Sequence, residues 1–161
     1  MDKLAEQTEA GVRGGKDLTM AFTVEQTPEQ VFAAINDVQA WWGENIEGIT
    51  DKVGEVWIYH NEPVHMSKLR TTELVPGQRV VWKVLDTFMS FVTDRTEWVG
   101  NEIVFEINRV GDKTEVRFTQ YGLVPDYDCY AICSSAWTGI IKGSLKSLIA
   151  TGTGAAVPAR S

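Results

Sequence analysis

Six strand-like segments in succession, at 44–49, 55–60, 64–74, 79–85, 102–109 and 114–121, followed by one long stretch of helical spacing, leave this chain few folds to adopt. The segments are separated by short turn signals, "DKVG", "NEP", "VPGQ" and "VGDK", and connections that tight join antiparallel neighbours. They predict a meander. Near Pro125 the spacing changes: Tyr130, Cys133, Trp137, Ile140, Ile141, Ser144, Leu145 and Leu148 recur at three- and four-residue intervals. That pattern predicts a helix over about residues 128–150, capped by Asp126 or Asp128. A helix with one apolar face needs an apolar partner, and the sheet is the one available.

Upstream, Leu18, Met20, Phe22 and Val24 alternate with Thr19, Ala21, Thr23 and Glu25, the period of a half-buried strand. In "TPEQVFAAINDVQAWW", Thr27 reads as a helix cap and Pro28 as the first helical residue. Val31, Phe32 and Ile35 make the apolar stripe, and Trp41 and Trp42 close the segment. The expected fold is α+β: a curved antiparallel sheet of six or seven strands wrapped around a long C-terminal helix, with two short helices after the first strand. Gly139 and Gly143 cost that helix about 1 kcal/mol each against alanine, which suggests close backbone approach somewhere along the helix. The expected organisation is one domain over residues 17–153, flanked by polar or Gly/Pro-punctuated tails at 1–16 and 154–161.

A chain of 161 residues suits one core. Its net charge of -7, without a basic cluster, argues against nucleic acid and anionic membranes as partners. No apolar run approaches the roughly 20 residues of a membrane span, and "MDKLAEQTEAGVRGGKD" lacks the apolar core of a signal peptide. A cytoplasmic location is expected, in keeping with only two cysteines. "GVRGGKD" is not a P-loop: the spacing is wrong, Asp17 stands where a hydroxyl is needed, and a strand follows.

Cys129 and Cys133 project on similar sides of the helix. Structural zinc takes four ligands, however, and His60 and His65 lack zinc-finger spacing. For a nucleophilic thiol, Asp126 and Asp128 oppose the helix N-terminus, and no histidine neighbours it in sequence. The cysteines therefore read as buried packing residues. No serine elbow, dinucleotide glycine motif or HExxH is present. Glu47, Glu55, Glu73, Glu97, Glu102 and Glu115 alternate with apolar residues as solvent-facing positions do. No catalytic residue, metal or cofactor is expected.

The "WW" pair, "GNEIVFEINRVGDKTEVRFTQYGL" and "CYAICSSAWTGIIKGSLKSLIATGTG" resemble the START-like (SRPBCC) helix-grip superfamily over about residues 17–153. More narrowly they are similar to its bacterial branch related to activators of heat-shock-protein-90 ATPase. The resemblance implies an internal cavity between the concave sheet and the last helix. The superfamily includes lipid carriers, hormone receptors, polyketide cyclases and co-chaperone domains, so a job does not follow from the fold.

The residues argue for a pocket on their own terms. Six tryptophans are a large aromatic load for one small domain. On one strand His65, Ser67 and Thr71 share a face with Leu69, and on another Gln120 shares a face with Val116 and Phe118. Polar groups on an inward face need partners or water. The stretch 86–101 carries Phe88, Met89, Phe91, Val92 and Trp98 and is too long for a hairpin turn. It reads either as a binding loop or as an extension of the flanking strands. The cavity candidates are Trp41, His65, Leu69, Trp82, Phe91, Trp98, Phe105, Phe118, Gln120, Cys133, Trp137 and Ile141. Three readings follow: non-catalytic binding of a small hydrophobic or aromatic molecule; a cyclase- or hydrolase-type enzyme using His60, His65 or a cavity carboxylate; and a co-chaperone-like module with a protein partner. A monomer or a homodimer suits any of them.

Overall fold

A computed structural model of the chain describes residues 17–91, 98–127 and 129–158. Strand β1 (Leu18–Val24) precedes helices α1 (Pro28–Asn36) and α2 (Val38–Trp41). Strands β2 (Ile46–Gly48), β3 (Val56–Asn61), β4 (His65–Val75), β5 (Arg79–Met89), β6 (Glu102–Val110) and β7 (Lys113–Tyr121) follow. The strands form one seven-stranded sheet in the order β1-β7-β6-β5-β4-β3-β2, antiparallel at every pairing. The meander is as expected, and β1 closes it by pairing along β7. The expected tail at 1–16, the cap at Asp128 and the end of the second tail, 159–161, lie outside the described residues.

Helix α1 starts where its sequence says it should. Thr27 Oγ1 accepts from the Gln30 N–H at 3.1 Å and Gln30 Oε1 accepts from the Thr27 N–H at 2.9 Å, a reciprocal capping box. Bulges in the β4–β5 pairing, between Lys68 and Leu69 and between Thr71 and Glu73, bend the sheet toward the helix it grips.

That C-terminal helix runs through α3 (Tyr130–Thr138), a π-helical stretch (Gly139–Leu145) and α4 (Lys146–Thr151). Its buried residues Cys133, Trp137, Ile141, Leu145 and Ile149 fall four apart. On a plain α-helix each four-residue step overshoots a turn by about 40°, so the stripe would wind off the sheet. The wider π turn takes back that drift and keeps the stripe on one face. Gly139 and Gly143 serve this segment differently from the expectation: no atom lies within 4 Å of a Cβ built at either. They face outward at the π segment rather than mediating close approach.

Two further expectations are revised. Cys129, not Asp126, holds the cap position of α3, without a side-chain hydrogen bond, because backbone turns at Val124–Tyr127 and Tyr127–Tyr130 lead the chain in. Residues 154–157, placed by sequence in a tail, run back across the molecule. Val157 N donates to Trp42 O at 3.0 Å and Glu44 N donates to Val157 O at 2.8 Å. Ser144 Oγ links this strap to the helix, donating to Trp41 O at 2.8 Å and accepting from Ala155 N at 2.7 Å. A Cβ at Gly154 would run into the Ala40 carbonyl, so the strap lies close only because that residue is glycine.

Candidate functional site

The sheet leaves a gap at one end. Strand β6 pairs with Arg79–Lys83 of β5 and no further, while β4 accompanies β5 out to Met89. The stretch 86–101 is thus partly strand, with β5 extended to Met89; residues 92–97 lie outside the described ones. Where β4 and β5 overrun β6, the space beneath α3 is bordered by the turn carrying Trp98 and by the strap. It forms a cavity of about 240 Å³.

Trp42, Tyr59, His65, Trp98 and Trp137 frame this cavity, with Phe91, Val64, Ile132, Ala136, Ile140, Cys133, Asn61 and Val157 completing it. The rings support one another. Trp42 stacks on Tyr59 at 4.3 Å and tilts against Trp137 at 5.1 Å. Trp98 stacks on Trp137 at 5.9 Å and meets His65 edge-to-face at 5.1 Å. Such offset and T-shaped contacts are the arrangements aromatic quadrupoles prefer. Among the described residues, the lining holds no acidic or basic side chain apart from His65. Val64, Phe91 and Ile132 are exposed apolar residues at its rim.

A row of short polar contacts lies behind the rings. Trp137 Nε1 donates to Gln120 Oε1 at 2.8 Å, and Gln120 Nε2 donates to Asn101 Oδ1 at 2.9 Å. His65 Nε2 meets Ser67 Oγ at 2.7 Å, Ser67 Oγ meets Thr87 Oγ1 at 3.1 Å, and Thr87 Oγ1 donates to Met66 O at 3.1 Å. Burial pushes the His65 imidazole down to about 4, with Glu62 opposing weakly, so the ring is neutral at pH 7.

Five of the sequence-derived candidates, His65, Phe91, Trp98, Cys133 and Trp137, line the cavity. The other seven do not. Trp41 packs against both Trp42 and Trp82 and donates its Nε1–H to Ile35 O at 3.1 Å. Trp82, Phe105 and Phe118 form an edge-to-face column in the solid core. Leu69 and Ile141 are fully buried in the same core. Gln120 stands one layer behind, holding Trp137. The inward face of β4 was read correctly, but only its His65 end reaches open space; Leu69 and Thr71 lie under packed tryptophans. Thr71 Oγ1 there accepts from Trp57 Nε1 at 3.1 Å.

Several lining residues escaped the sequence reading. Tyr59 lies opposite Ser67 in the β3–β4 register, so the alternation of β3 carried a signal for it. Ile132, Ala136 and Ile140 flank Cys133 and Trp137 at helical spacing. Trp42 is displaced from Trp41 by the one residue that decides which ring looks into the gap. Nothing in the sequence marks Val157.

His60 lies outside the cavity, hydrogen-bonded to Glu62 at 2.8 Å and Glu47 at 3.0 Å; Glu62 first and Glu47 second hold its pKa up. Cys129 and Cys133 are buried thiols with no disulfide, and Cys133 Sγ lies 3.8 Å from Met89 Sδ. Among the described residues no three His, Cys, Asp or Glu side chains gather into a metal-binding group. Two roomier depressions, beside α1 and along Gly139 and Gly143, are open surface grooves.

A curved antiparallel sheet closed on a long C-terminal helix, with an aromatic cavity at one end, defines a START-like helix-grip protein. Residues 25–150 match the family model "Activator of Hsp90 ATPase homolog 1-like protein", and the chain belongs to that family. The solution structure of the Aha1 dimer from Colwellia psychrerythraea is similar, with TM-score 0.70 and 23% identity over 86% of this chain and 98% of that one. The crystal structure of Mll3558 from Rhizobium loti matches with TM-score 0.60 and 23% identity over 78% and 92% of the two chains. CalU16 from Micromonospora echinospora matches with TM-score 0.62 and 11% identity over 90% and 81%. At these identities the likeness establishes the fold alone. No curated protein sequence matches the chain.

Proposed function

We propose that this protein binds, without chemically altering, a compact hydrophobic or aromatic molecule in the cavity beneath α3. The observation that carries the proposal is the lining: six aromatic or heteroaromatic rings around about 240 Å³ and, among the described residues, no carboxylate, lysine or arginine. A concave, mostly apolar pocket with few polar groups is the usual form of a small-molecule site. The enzyme reading finds less support. A general acid or base works best with a pKa near the operating pH, whereas among the described residues the cavity imidazole is held near 4, and Glu47 and Glu62 pair with His60 outside the cavity.

A protein-interaction role of the kind the family description names would use an outer surface and leave the cavity incidental. The dimer described for the Colwellia relative supports a homodimer over a monomer. A cytoplasmic location remains part of the proposal, supported by the two thiols. Among the described residues no helix is long and apolar enough to cross a membrane.

Native mass spectrometry of protein purified from its own cells, followed by re-loading with 2-naphthol, tests the binding reading. A small mass increment shed on activation, or stoichiometric uptake of 2-naphthol, is expected. Bare protein that also takes up no 2-naphthol at millimolar concentration would overturn it.

A further inference from the structure

The His65 imidazole lines the cavity with one ring nitrogen engaged and the other open. Nε2 meets Ser67 Oγ at 2.7 Å, and the protons of the contacts behind it can be placed. Met66 O can only accept, so the Thr87 hydroxyl proton points there. Thr87 Oγ1 then accepts from the Ser67 hydroxyl, and Ser67 Oγ accepts from His65 Nε2–H. This is the one assignment that places a proton in each of the three contacts. With the ring neutral at pH 7, its proton lies on Nε2 and Nδ1 carries a bare lone pair.

Two observations turn that lone pair toward the cavity. His65 shares the concave face of β4 with Ser67 and Leu69, both fully buried, yet keeps part of its own surface accessible. On that face the open space beside the imidazole is the cavity, which Trp42, Tyr59 and Trp98, the rings packed around it, also line. The second concerns Nδ1 itself. Among the described residues, the unpartnered side-chain polar atoms shut off from solvent are Gln26 Oε1, Asn36 Oδ1, Trp82 Nε1 and Trp98 Nε1, and His65 Nδ1 is not one of them. No described residue donates to it either. It is an acceptor with accessible surface and no partner among the described residues. The two nitrogens of an imidazole point in diverging directions, so with Nε2 turned to Ser67 in the strand wall, Nδ1 faces away from that wall.

Resting on the binding reading above, we propose that the molecule this cavity takes is a phenol-type compound, whose aromatic hydroxyl donates to His65 Nδ1 while its ring lies among Trp42, Trp98 and Trp137. The selection works by penalty. An occupant without a donor displaces water from Nδ1 and leaves the nitrogen unpaired. A hydroxyl donates in the water's stead. Imidazole accepts at Nδ1 only while it is neutral, and burial among the rings keeps it so. Because His65 stands on β4 while Ile132, Ala136 and Ile140 line the cavity from the C-terminal helix, the hydroxyl edge of the ligand faces the sheet and its hydrocarbon edge faces the helix.

Three probes of similar size test this: 2-naphthol, which carries the donor; 2-methoxynaphthalene, which keeps the oxygen without the donor; and naphthalene, which has neither. Equilibrium dialysis at pH 7 should show 2-naphthol about tenfold tighter than either of the others, the equivalent of about 1.4 kcal/mol. His65→Phe should bring 2-naphthol down to the level of naphthalene, with naphthalene itself changed by less than about twofold. On the wild-type protein, whatever the variant's folding, long-range 15N spectra should show His65 protonated on Nε2. Its Nδ1 resonance should move upfield when 2-naphthol is added and not when naphthalene is. Equal binding of 2-naphthol and 2-methoxynaphthalene, a free ring protonated on Nδ1, or an Nδ1 resonance unmoved at saturating 2-naphthol would refute the hydroxyl contact and leave the binding reading standing. If none of the three binds, the binding reading fails and takes this inference with it.

Discussion

Replacing Trp137 probes both halves of the account, because its indole belongs to the core on one side and to the cavity on the other. It is 2% exposed, meets Phe118 at 4.8 Å and Trp42 at 5.1 Å, and donates to Gln120 at 2.8 Å. In a solid core, truncating such a residue to alanine costs about 3 to 5 kcal/mol. Here the edge of the ring that lines the cavity lacks partner atoms, which brings the packing loss to about 2 kcal/mol. Gln120 Oε1 loses its donor, a penalty of about 1 to 3 kcal/mol for a dry site. The truncated side chain joins this carbonyl to the cavity, where water can reach it, so the lower figure applies. Trp137→Ala should therefore cost about 3 kcal/mol. Trp137→Phe keeps most of the ring and loses the hydrogen bond, costing about 1 kcal/mol. Urea unfolding measures both as shifts in midpoint at constant slope, and in a Gln120→Met background the cost of Trp137→Phe should shrink. An alanine variant that loses 5 kcal/mol or more, with Trp137→Phe neutral, would mean that the helix caps a solid core, and the reasoning would fail.

Because burial holds His65 near 4 against an ordinary value of 6.5, its contribution to stability is fully present above pH 6.5 and lost as pH falls toward 4, by at most about 3 kcal/mol. His60, whose pKa is raised, acts in the opposite sense, so the test is the difference between wild type and His65→Gln across that window; parallel curves would refute the burial of a neutral ring. Ala136→Trp should fill the cavity and abolish 2-naphthol binding while changing stability by less than about 1 kcal/mol, and undiminished binding would place the ligand elsewhere. Ending the chain at Gly152 removes the Val157 hydrogen bonds and one side of the cavity rim. Stopped-flow displacement should then show 2-naphthol leaving at least several-fold faster, and an unchanged off-rate would mean that the strap does not retain ligand.

The fold was legible because its signals are local. Alternation on each strand, tight turns between strands and the Thr27–Gln30 capping box act within a few residues of themselves. The site was only half legible because its position depends on lengths and register. That β5 overruns β6 and leaves His65 beside a gap follows from pairing partners that no single segment records. Inward faces could be read, as for His65 and Leu69, but depth along a strand could not. Trp41 and Trp42 are both buried aromatics, and α2 ending at Trp41 turns only the second toward the cavity. Val157 reaches the rim through a strap whose small residues look like tail, and the π segment appears in sequence only as a four-residue spacing carried on too long.

The central claim is that the space framed by Trp42, Trp98 and Trp137 is where a small aromatic molecule resides. Intermolecular NOEs between 2-naphthol and the isotope-labelled protein test it most directly. The account predicts NOEs from the naphthyl protons to the ring protons of all three tryptophans and to the Ala136 methyl group, with none to residues beside α1. NOEs confined to the outer grooves, or saturable binding without contact to any of the three rings, would contradict it.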